Sequence, residues 1–187
     1  MSFLTTNYKE NKHSDFEAIP TGTYEMVIKQ AQEKVTPNGR QNMEFQLVVR
    51  NDLDGVKGLS ETNAKYHNRI VFVQFWTDKN SGQYDTNRFQ YVLEAAQIPE
   101  GTAINSIDDF MKLMTDRPVK VYVKKEKDDY NSTPEKTAYR NTVAPWGFEK
   151  TAFPTVNHQW KGQKTTNDDP FADKGQQLNI TDDDIPF

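Results

Sequence analysis

The chain has 187 residues, lacks cysteine and carries a formal net charge of −4. That length accommodates one domain with a hydrophobic core and a tail. The absence of cysteine excludes a disulfide scaffold and any thiolate zinc site, and it places the protein in a reducing cytoplasm. The polar start of the chain has no signal-peptide pattern, and no apolar run reaches the length of a membrane span, so no membrane partner is predicted.

The first predicted elements are three β-strands. Residues 21–28 alternate apolar and polar side chains, and a Pro-Asn-Gly turn within residues 36–40 leads into a second alternating strand at residues 43–50. These two strands predict a β-hairpin. After the polar loop 51–68, residues 69–77 are predicted as a third strand.

Two short helices and a second hairpin follow along the chain. Asp85 or Thr86 is expected to cap an amphipathic helix, and Ser106 begins a second helix with an approximate capping box. Residues 119–126 alternate strictly and predict a fourth strand, with a partner strand at residues 137–144.

The order of these elements indicates a mainly β fold with a short helical insertion. Five strands with helices between the third and the fourth fit an OB-fold-like five-stranded barrel, while a β-sandwich or another α+β sheet stays an open alternative. We predict a polar lead-in at residues 1–19 and the domain at residues 20–150. Residues 151–187 are predicted as a disordered acidic tail, because they offer too little apolar surface to offset the entropy of ordering.

The strand at residues 119–126 has a basic and aromatic face. Lys120, Tyr122 and Lys124 share one side of it, while three valines share the other. Cations attract phosphates and aromatic rings stack on unpaired bases, so this pattern is typical of single-stranded-DNA binding. The solvated outer face of an antiparallel sheet has a similar composition and is the alternative.

Other segments repeat the mixture of basic and aromatic residues. Between Arg117 and Arg140, seven basic residues stand against four acidic ones, whereas residues 154–187 carry three basic and six acidic residues. Most of the net negative charge of the chain therefore lies in the tail.

In the third predicted strand, Phe72 is assigned to the core. The candidate DNA-binding residues are Arg50, Arg69, Trp76, Lys120, Tyr122, Lys124, Lys125, Tyr139, Arg140 and Trp146.

The C-terminal residues form a second candidate site, for a protein partner. They are Asp182, Asp183, Asp184, Ile185, Pro186 and Phe187. Acidic residues alone keep a tail soluble, so an added aromatic ending indicates a peptide whose Phe187 ring fills an apolar pocket while its carboxylate meets a basic group. The ending resembles the acidic C-terminal tip of bacterial single-stranded-DNA-binding proteins. That resemblance implies recruitment of replication and repair proteins.

Short motifs in the body also occur in a suggestive order. They are Gly22-Thr23-Tyr24-Glu25, Val49-Arg50-Asn51-Asp52, Ala95-Ala96-Gln97-Ile98-Pro99-Glu100-Gly101, Val119-Lys120-Val121 and Asn141-Thr142-Val143. Over about residues 20–145 this order resembles a phage single-stranded-DNA-binding protein family, formerly a domain of unknown function. The resemblance implies an OB-like domain that coats and protects single strands in phage replication and recombination, in the cytoplasm of the host. The sequence leaves open whether the protein forms a homo-oligomer.

Two other functions are weighed against DNA binding. An interaction protein that displays the tip as a decoy for repair enzymes needs no DNA-binding surface of its own. A metal-dependent nuclease would use paired aspartates such as Asp52 and Asp54, but these pairs lie where turns and helix starts favour aspartate. The three histidines also lack a metal-ligand spacing. We therefore predict a protein that is not an enzyme and has no cofactor and no metal site.

Overall fold

The structure, a computed structural model, describes residues 17–160 of the chain. In this part of the chain, six strands form one antiparallel sheet, and two α-helices lie between the third and the fourth strand. The strands are β1 (Gly22–Val35), β2 (Gln41–Val49), β3 (Ile70–Trp76), β4 (Pro118–Lys127), β5 (Tyr139–Thr142) and β6 (Phe148–Glu149). The helices are α1 (Thr86–Ala95) and α2 (Ile107–Met114).

Strand β1 joins the two halves of the sheet. Its first half pairs with β4 and its second half with β2, giving the order β3-β2-β1-β4-β5 with β6 also paired to β4. The register with β2 shifts between Ile28 and Gln30, so Lys29 forms a β-bulge. Because a bulge bends its strand and increases the local twist, β1 can turn from one partner to the other at this point.

The core lies between the sheet and the two helices. Alternate residues of four strands point into it, as the apolar alternation predicted, and α1 and α2 cover its open side with Val92, Ala95, Phe110 and Met114. The strand residues buried in this core include Tyr24, Met26 and Ile28 from β1, Met43, Phe45, Leu47 and Val49 from β2, Val71, Val73 and Phe75 from β3, and Val119, Val121 and Val123 from β4. None of the helices in residues 17–160 is long and apolar enough to cross a membrane.

The local signals for turns and helix starts are confirmed. Asp85 accepts a hydrogen bond from the Asn87 amide at 3.1 Å at the start of α1, and Ser106 accepts one from the Asp109 amide at 3.0 Å at the start of α2. Gly39 takes a positive φ of 77° in the β1–β2 turn. The predicted fifth strand is shorter than expected, and β6 follows it after one 3₁₀ turn.

The described part of the chain continues for ten residues beyond the predicted domain boundary at residue 150. Residues 151–160, which we name the C-terminal extension, run across the outer face of the sheet and are held there by hydrogen bonds. Their polar composition predicted disorder, but several of their backbone groups are paired by side chains of the loop after β2. Residues 161–187, which include the predicted tip, lie outside the described residues.

Candidate nucleic-acid interface

The outer face of β4 carries the predicted basic and aromatic side chains. Val119, Val121 and Val123 are buried, so Lys120, Tyr122 and Lys124 point away from the core. Tyr122 is 41% exposed, and Lys124 is exposed with no ion pair within residues 17–160. The structure therefore brings these three residues onto one face, as predicted.

Lys120 is less available than its two neighbours on this face. Its Nζ atom lies 2.6 Å from the carboxylate of Glu149, which β6 places directly opposite. The hydrogen bond that Lys120 donates to this carboxylate raises the pKa of Lys120, and the negative charge of Glu149 offsets the positive charge that a phosphate would meet. The most accessible part of the face is therefore the end near Tyr122 and Lys124.

The β4–β5 hairpin has a second basic and aromatic face on its opposite side. In the register, Lys125 pairs with Asn141 and Lys127 pairs with Tyr139, and directly paired residues share a face. Lys125 and Tyr139 therefore lie on the side opposite to Tyr122. The Lys125 Nζ atom lies 4.7 Å from the centroid of the Tyr139 ring, a cation–π contact, and Tyr139 is 53% exposed.

Arg140 lies on the same face of the hairpin as Tyr122 and Lys124. It pairs with Glu126 in the register, and Thr142 pairs with Lys124. Arg140 is exposed, so its guanidinium adds a second accessible cation to this face. The six predicted residues of β4 and β5 thus divide between two faces that are separated by the thickness of the hairpin, which the sequence motif alone did not indicate.

Trp146 projects from the turn between β5 and β6. This 3₁₀ turn begins with Pro145, and the Gly147 amide donates to Ala144 O at 2.8 Å. A Cβ atom on Gly147 would lie 3.1 Å from the backbone oxygen of Tyr122, a tight contact, so glycine lets the turn lie this close to β4 without displacing it. Trp146 is 72% exposed and stands beside the Tyr122 segment on a fixed turn.

The turn of the β4–β5 hairpin presents a tyrosine that the sequence reasoning passed over. Tyr130 is 94% exposed. The Asp128 carboxylate accepts hydrogen bonds from the amides of Tyr130 and Asn131 at 3.1 and 3.2 Å and from the Asn131 side chain at 2.7 Å. The position of Tyr130 between two basic strands could have indicated a contact residue. It was not predicted as one, because residues in turns often serve only the backbone conformation.

A second aromatic region lies on the outer face of β3. Phe72 and Trp76 alternate with the buried residues of this strand, so the assignment of Phe72 to the core was wrong, and its side chain is exposed. The Arg40 guanidinium lies 5.0 Å from the centroid of the Trp76 ring and donates to Thr77 O at 2.9 Å through Nη2. Arg40 is therefore a fixed cation beside Trp76, and the sequence reasoning missed it.

Arg69 lies at the start of β3 and has a local partner. Its Nη1 donates to Glu17 O at 3.4 Å, and Nη2 lies 3.5 Å from the Glu17 carboxylate. Both distances are long and the Glu17 side chain is largely exposed, so this pair holds Arg69 only weakly.

Arg50 cannot contact DNA in this structure, and its place in the predicted set is corrected. Its side chain is 0% exposed. Nη2 lies 2.6 Å from the Asp52 carboxylate, and Nη1 donates to Phe153 O at 2.6 Å. A second bond from Nη2 reaches Thr155 O. Arg50 therefore holds the C-terminal extension against the sheet, which nothing in the local sequence around it indicates.

Further contacts close this site around the extension. The Asn157 amide donates to Asp52 at 2.9 Å, and the Asn51 amide donates to Nδ1 of His158 at 3.1 Å. Burial lowers the pKa of His158, so the ring is neutral at pH 7 and can accept that hydrogen bond. Thr151 donates to the carboxylate of Glu25, whose pKa is raised by burial.

The paired aspartates have structural partners. Asp52 pairs with Arg50, and the Asp54 carboxylate lies 2.7 Å from Nδ1 of His67. Asp108 and Asp109 lie in the first turn of α2, where carboxylates favour the helix dipole. Within residues 17–160, no group of three or more His, Cys, Asp or Glu residues could hold a metal ion.

Comparison with known proteins gives one family. A protein-family model described as a protein of unknown function matches residues 6–166 of the chain. The match takes in all six strands, both helices and the C-terminal extension, so the candidate interface lies inside the family domain. No curated protein matches the chain.

Proposed function

The chain belongs to the family described as protein of unknown function (DUF669), and we propose that it binds single-stranded DNA without regard to sequence. The observation that carries the proposal is the β4–β5 hairpin, where exposed Tyr122 shares one face with Lys124 and Arg140, and exposed Tyr139 shares the other face with Lys125. Cations bind the backbone phosphates, and aromatic faces stack on bases that only a single strand exposes.

The arrangement favours a single strand over a duplex. A duplex keeps its bases stacked inside, so exposed tyrosine and tryptophan rings on a sheet would find no base face to contact. Helices α1 and α2 pack on the core, so neither is a free helix that could enter a major groove. The biological role that follows is coating and protection of single strands in phage DNA replication, recombination and repair, as the resemblance of the body to phage single-stranded-DNA-binding proteins implies.

We extend the proposal to the closure of the sheet into an OB-like barrel. Strands β3 and β5 approach within 8 Å between Cα atoms without forming a ladder. The segment before β1 supports the closure, since Asn141 of β5 exchanges hydrogen bonds with Ile19 at 2.9 and 2.8 Å while Glu17 contacts Arg69 beside β3. In an OB-fold the face of the second and third strands and the loops after the first and fourth strands bind oligonucleotides, which would unite Arg40, Trp76 and the β4–β5 hairpin.

A second part of the proposal concerns the residues after the extension. Residues 182–187 would recruit host replication and repair proteins that read acidic, aromatic-ended tips. The support is chemical: three carboxylates favour a basic surface on the partner, and they would be repelled by DNA. Deleting Phe187 from the full chain should abolish capture of such partners and leave DNA affinity unchanged. Loss of both together would contradict a separate recruiting role.

Binding of the full chain to labelled oligo-dT tests the main proposal. We expect tight binding that weakens linearly in log Kd against log salt, with weak binding to a duplex of equal length. Lys124→Ala should lower the affinity and the salt slope, whereas Lys57→Ala, an exposed lysine in the loop after β2, should change neither. Failure of the unmodified chain to bind oligo-dT at low salt would refute the proposal and would favour the decoy function.

A further inference from the structure

The hairpin turn is where the two basic and aromatic faces of β4 and β5 meet. Tyr122 lies on one face and Tyr139 on the other, while Tyr130 projects from the turn that joins the strands. All three rings are exposed, and Tyr130 is not part of any predicted site. A ligand that used all three would have to pass around the end of the hairpin.

We propose that a bound single strand wraps the end of the β4–β5 hairpin, stacking on Tyr122, Tyr130 and Tyr139 in succession. The proposal rests on the proposed single-stranded-DNA binding and deepens it by naming the path of the strand. Only a flexible, unpaired polyanion fits this path, because a duplex is too stiff to bend around a two-stranded hairpin.

The charges on the outer face direct the strand toward the turn. At the other end of this face, Glu149 lies 2.6 Å from Lys120 and is half exposed, so a phosphate there would meet a carboxylate. The C-terminal extension covers the outer face of β1 beyond this point and buries Glu25. Toward the turn, Lys124 and Arg140 are both exposed, and Glu126, which pairs with Arg140 in the register, offsets part of the Arg140 charge. Within residues 17–160 Lys124 has no ion pair, so the part of the face at Tyr122 and Lys124 attracts a polyanion more than the end at Lys120 and Glu149.

The turn is built to hold Tyr130 in place. The Asp128 carboxylate accepts hydrogen bonds from the amides of Tyr130 and Asn131. The Ser132 hydroxyl donates to Asp128 O at 2.6 Å and accepts from the Ala138 amide at 3.0 Å. These bonds fix the backbone on both sides of an exposed ring. A fixed backbone lowers the entropy lost on binding, which favours a contact residue over a merely solvated one.

The opposite face continues the path beyond the turn. Lys125 lies 4.7 Å from the centroid of the Tyr139 ring, so a cation stands beside the aromatic face that a base would cover. Lys127 is closer to the turn but is paired with Asp129 at 3.1 Å. Within residues 17–160, Lys125 has no ion pair. It is therefore the cation of this face that can contact a phosphate next to the stacked base.

The test compares three tyrosine variants of the full chain on oligonucleotides of different length. Tyr122→Ala, Tyr130→Ala and Tyr139→Ala are titrated with oligo-dT of about 4 and about 16 nucleotides, the range of OB-fold site sizes. On the longer oligonucleotide each variant should lose about tenfold in affinity, and the matching Tyr→Phe variants should lose little because they keep the ring. On the shorter one, the loss should be confined to one or two positions, since a short strand cannot span both faces. Circular dichroism checks that each variant is folded.

Three results would be distinguishable. If the unmodified chain binds but only Tyr122→Ala weakens the longer oligonucleotide, the strand stays on one face and the wrapped path is wrong. If the chain binds and none of the three variants matters, the wrapped path is also wrong and DNA binds elsewhere, with β3 the next region to test. If the unmodified chain does not bind, the proposed function itself fails.

Discussion

The guanidinium of Arg50 and the carboxylate of Asp52 form a two-point pair, with Nη2 and Nε donating at 2.6 and 3.0 Å, in a site closed to solvent by the C-terminal extension. Two further N–H groups of Arg50 donate to carbonyls of that extension, Phe153 O and Thr155 O. The pair is thus fully satisfied only while the extension is in place. A residue predicted to bind DNA is instead the reason that the extension is folded.

Replacing Arg50 should destabilise the domain. In Arg50→Ala, Asp52 would be left as a nearly buried carboxylate without its partner, and two backbone carbonyls would lose their donor. We expect the free energy of unfolding to fall by about 3–5 kcal/mol, measured by urea denaturation. The control is Arg69→Ala, which removes a long and partly exposed pair and should cost about 1 kcal/mol or less. Equal losses in the two variants would contradict the central role of Arg50.

Truncation at two positions separates the extension from the tail. A chain ending at Trp160 should unfold at the same urea concentration as the full chain, because every described contact is retained. A chain ending at Lys150 should lose about 3 kcal/mol or more, since it removes the carbonyls and amides that satisfy Arg50 and Asp52. If both truncations leave stability unchanged, the extension does not contribute to the folded domain.

The stability of the domain should depend on the protonation of His158. Burial lowers its pKa in the folded state, so between that value and the unfolded value of about 6.5 the unfolded chain binds more protons. Neutral His158 therefore makes its full contribution to the free energy of unfolding above about pH 6.5, and this contribution is lost as the pH falls through the folded-state pKa. His158→Asn keeps an acceptor for the Asn51 amide but cannot titrate, so it should lose less stability between about pH 8 and about pH 5. Identical pH profiles would exclude this contribution.

Removing the Glu149 carboxylate should strengthen DNA binding if the proposed interface is correct. In Glu149→Gln the Lys120 ammonium is released from its 2.6 Å pair and can meet a phosphate. One added phosphate contact steepens the salt slope on single strands by about 0.7. The matched control is Glu94→Gln, since Glu94 pairs with Lys150 at 3.4 Å and lies on α1. A slope that stays unchanged in Glu149→Gln would place the bound strand away from Lys120.

The three tryptophans should report DNA binding unequally. Trp146 is exposed in the turn between β5 and β6, and the Arg40 guanidinium lies 5.0 Å from the centroid of the Trp76 ring, so both tryptophans are expected to be quenched by oligo-dT. Trp160 packs edge-on against His158, with ring centroids 4.5 Å apart, and should change little. Trp→Phe variants made one at a time assign the signal. Quenching that disappears only in Trp160→Phe would instead place the strand on the C-terminal extension.

Local sequence was sufficient for the elements whose causes are local. The alternation from Val119 to Lys124 predicted both the strand and the face of each side chain, because successive residues of any strand point in opposite directions. Asp85 or Thr86 was predicted to cap the first helix and Ser106 the second, from their side-chain chemistry, and the structure has Asp85 and Ser106 at these positions. In contrast, Phe72 was assigned to the core from its hydrophobicity, which does not tell which face of a strand is covered.

The sequence by itself therefore determined the order of the strands and helices, the inward faces of the strands and the basic character of the last hairpin. Tertiary structure decided which outward residues stay accessible. Arg50 is buried, and it donates hydrogen bonds to carbonyls that lie more than 100 residues away in the chain. Lys120 forms an ion pair with Glu149 of β6, a strand too short to predict. The register of β4 with β5 placed Lys125 and Tyr139 behind Tyr122. Periodicity is a property of neighbouring residues, whereas burial and pairing depend on segments that meet only in the fold.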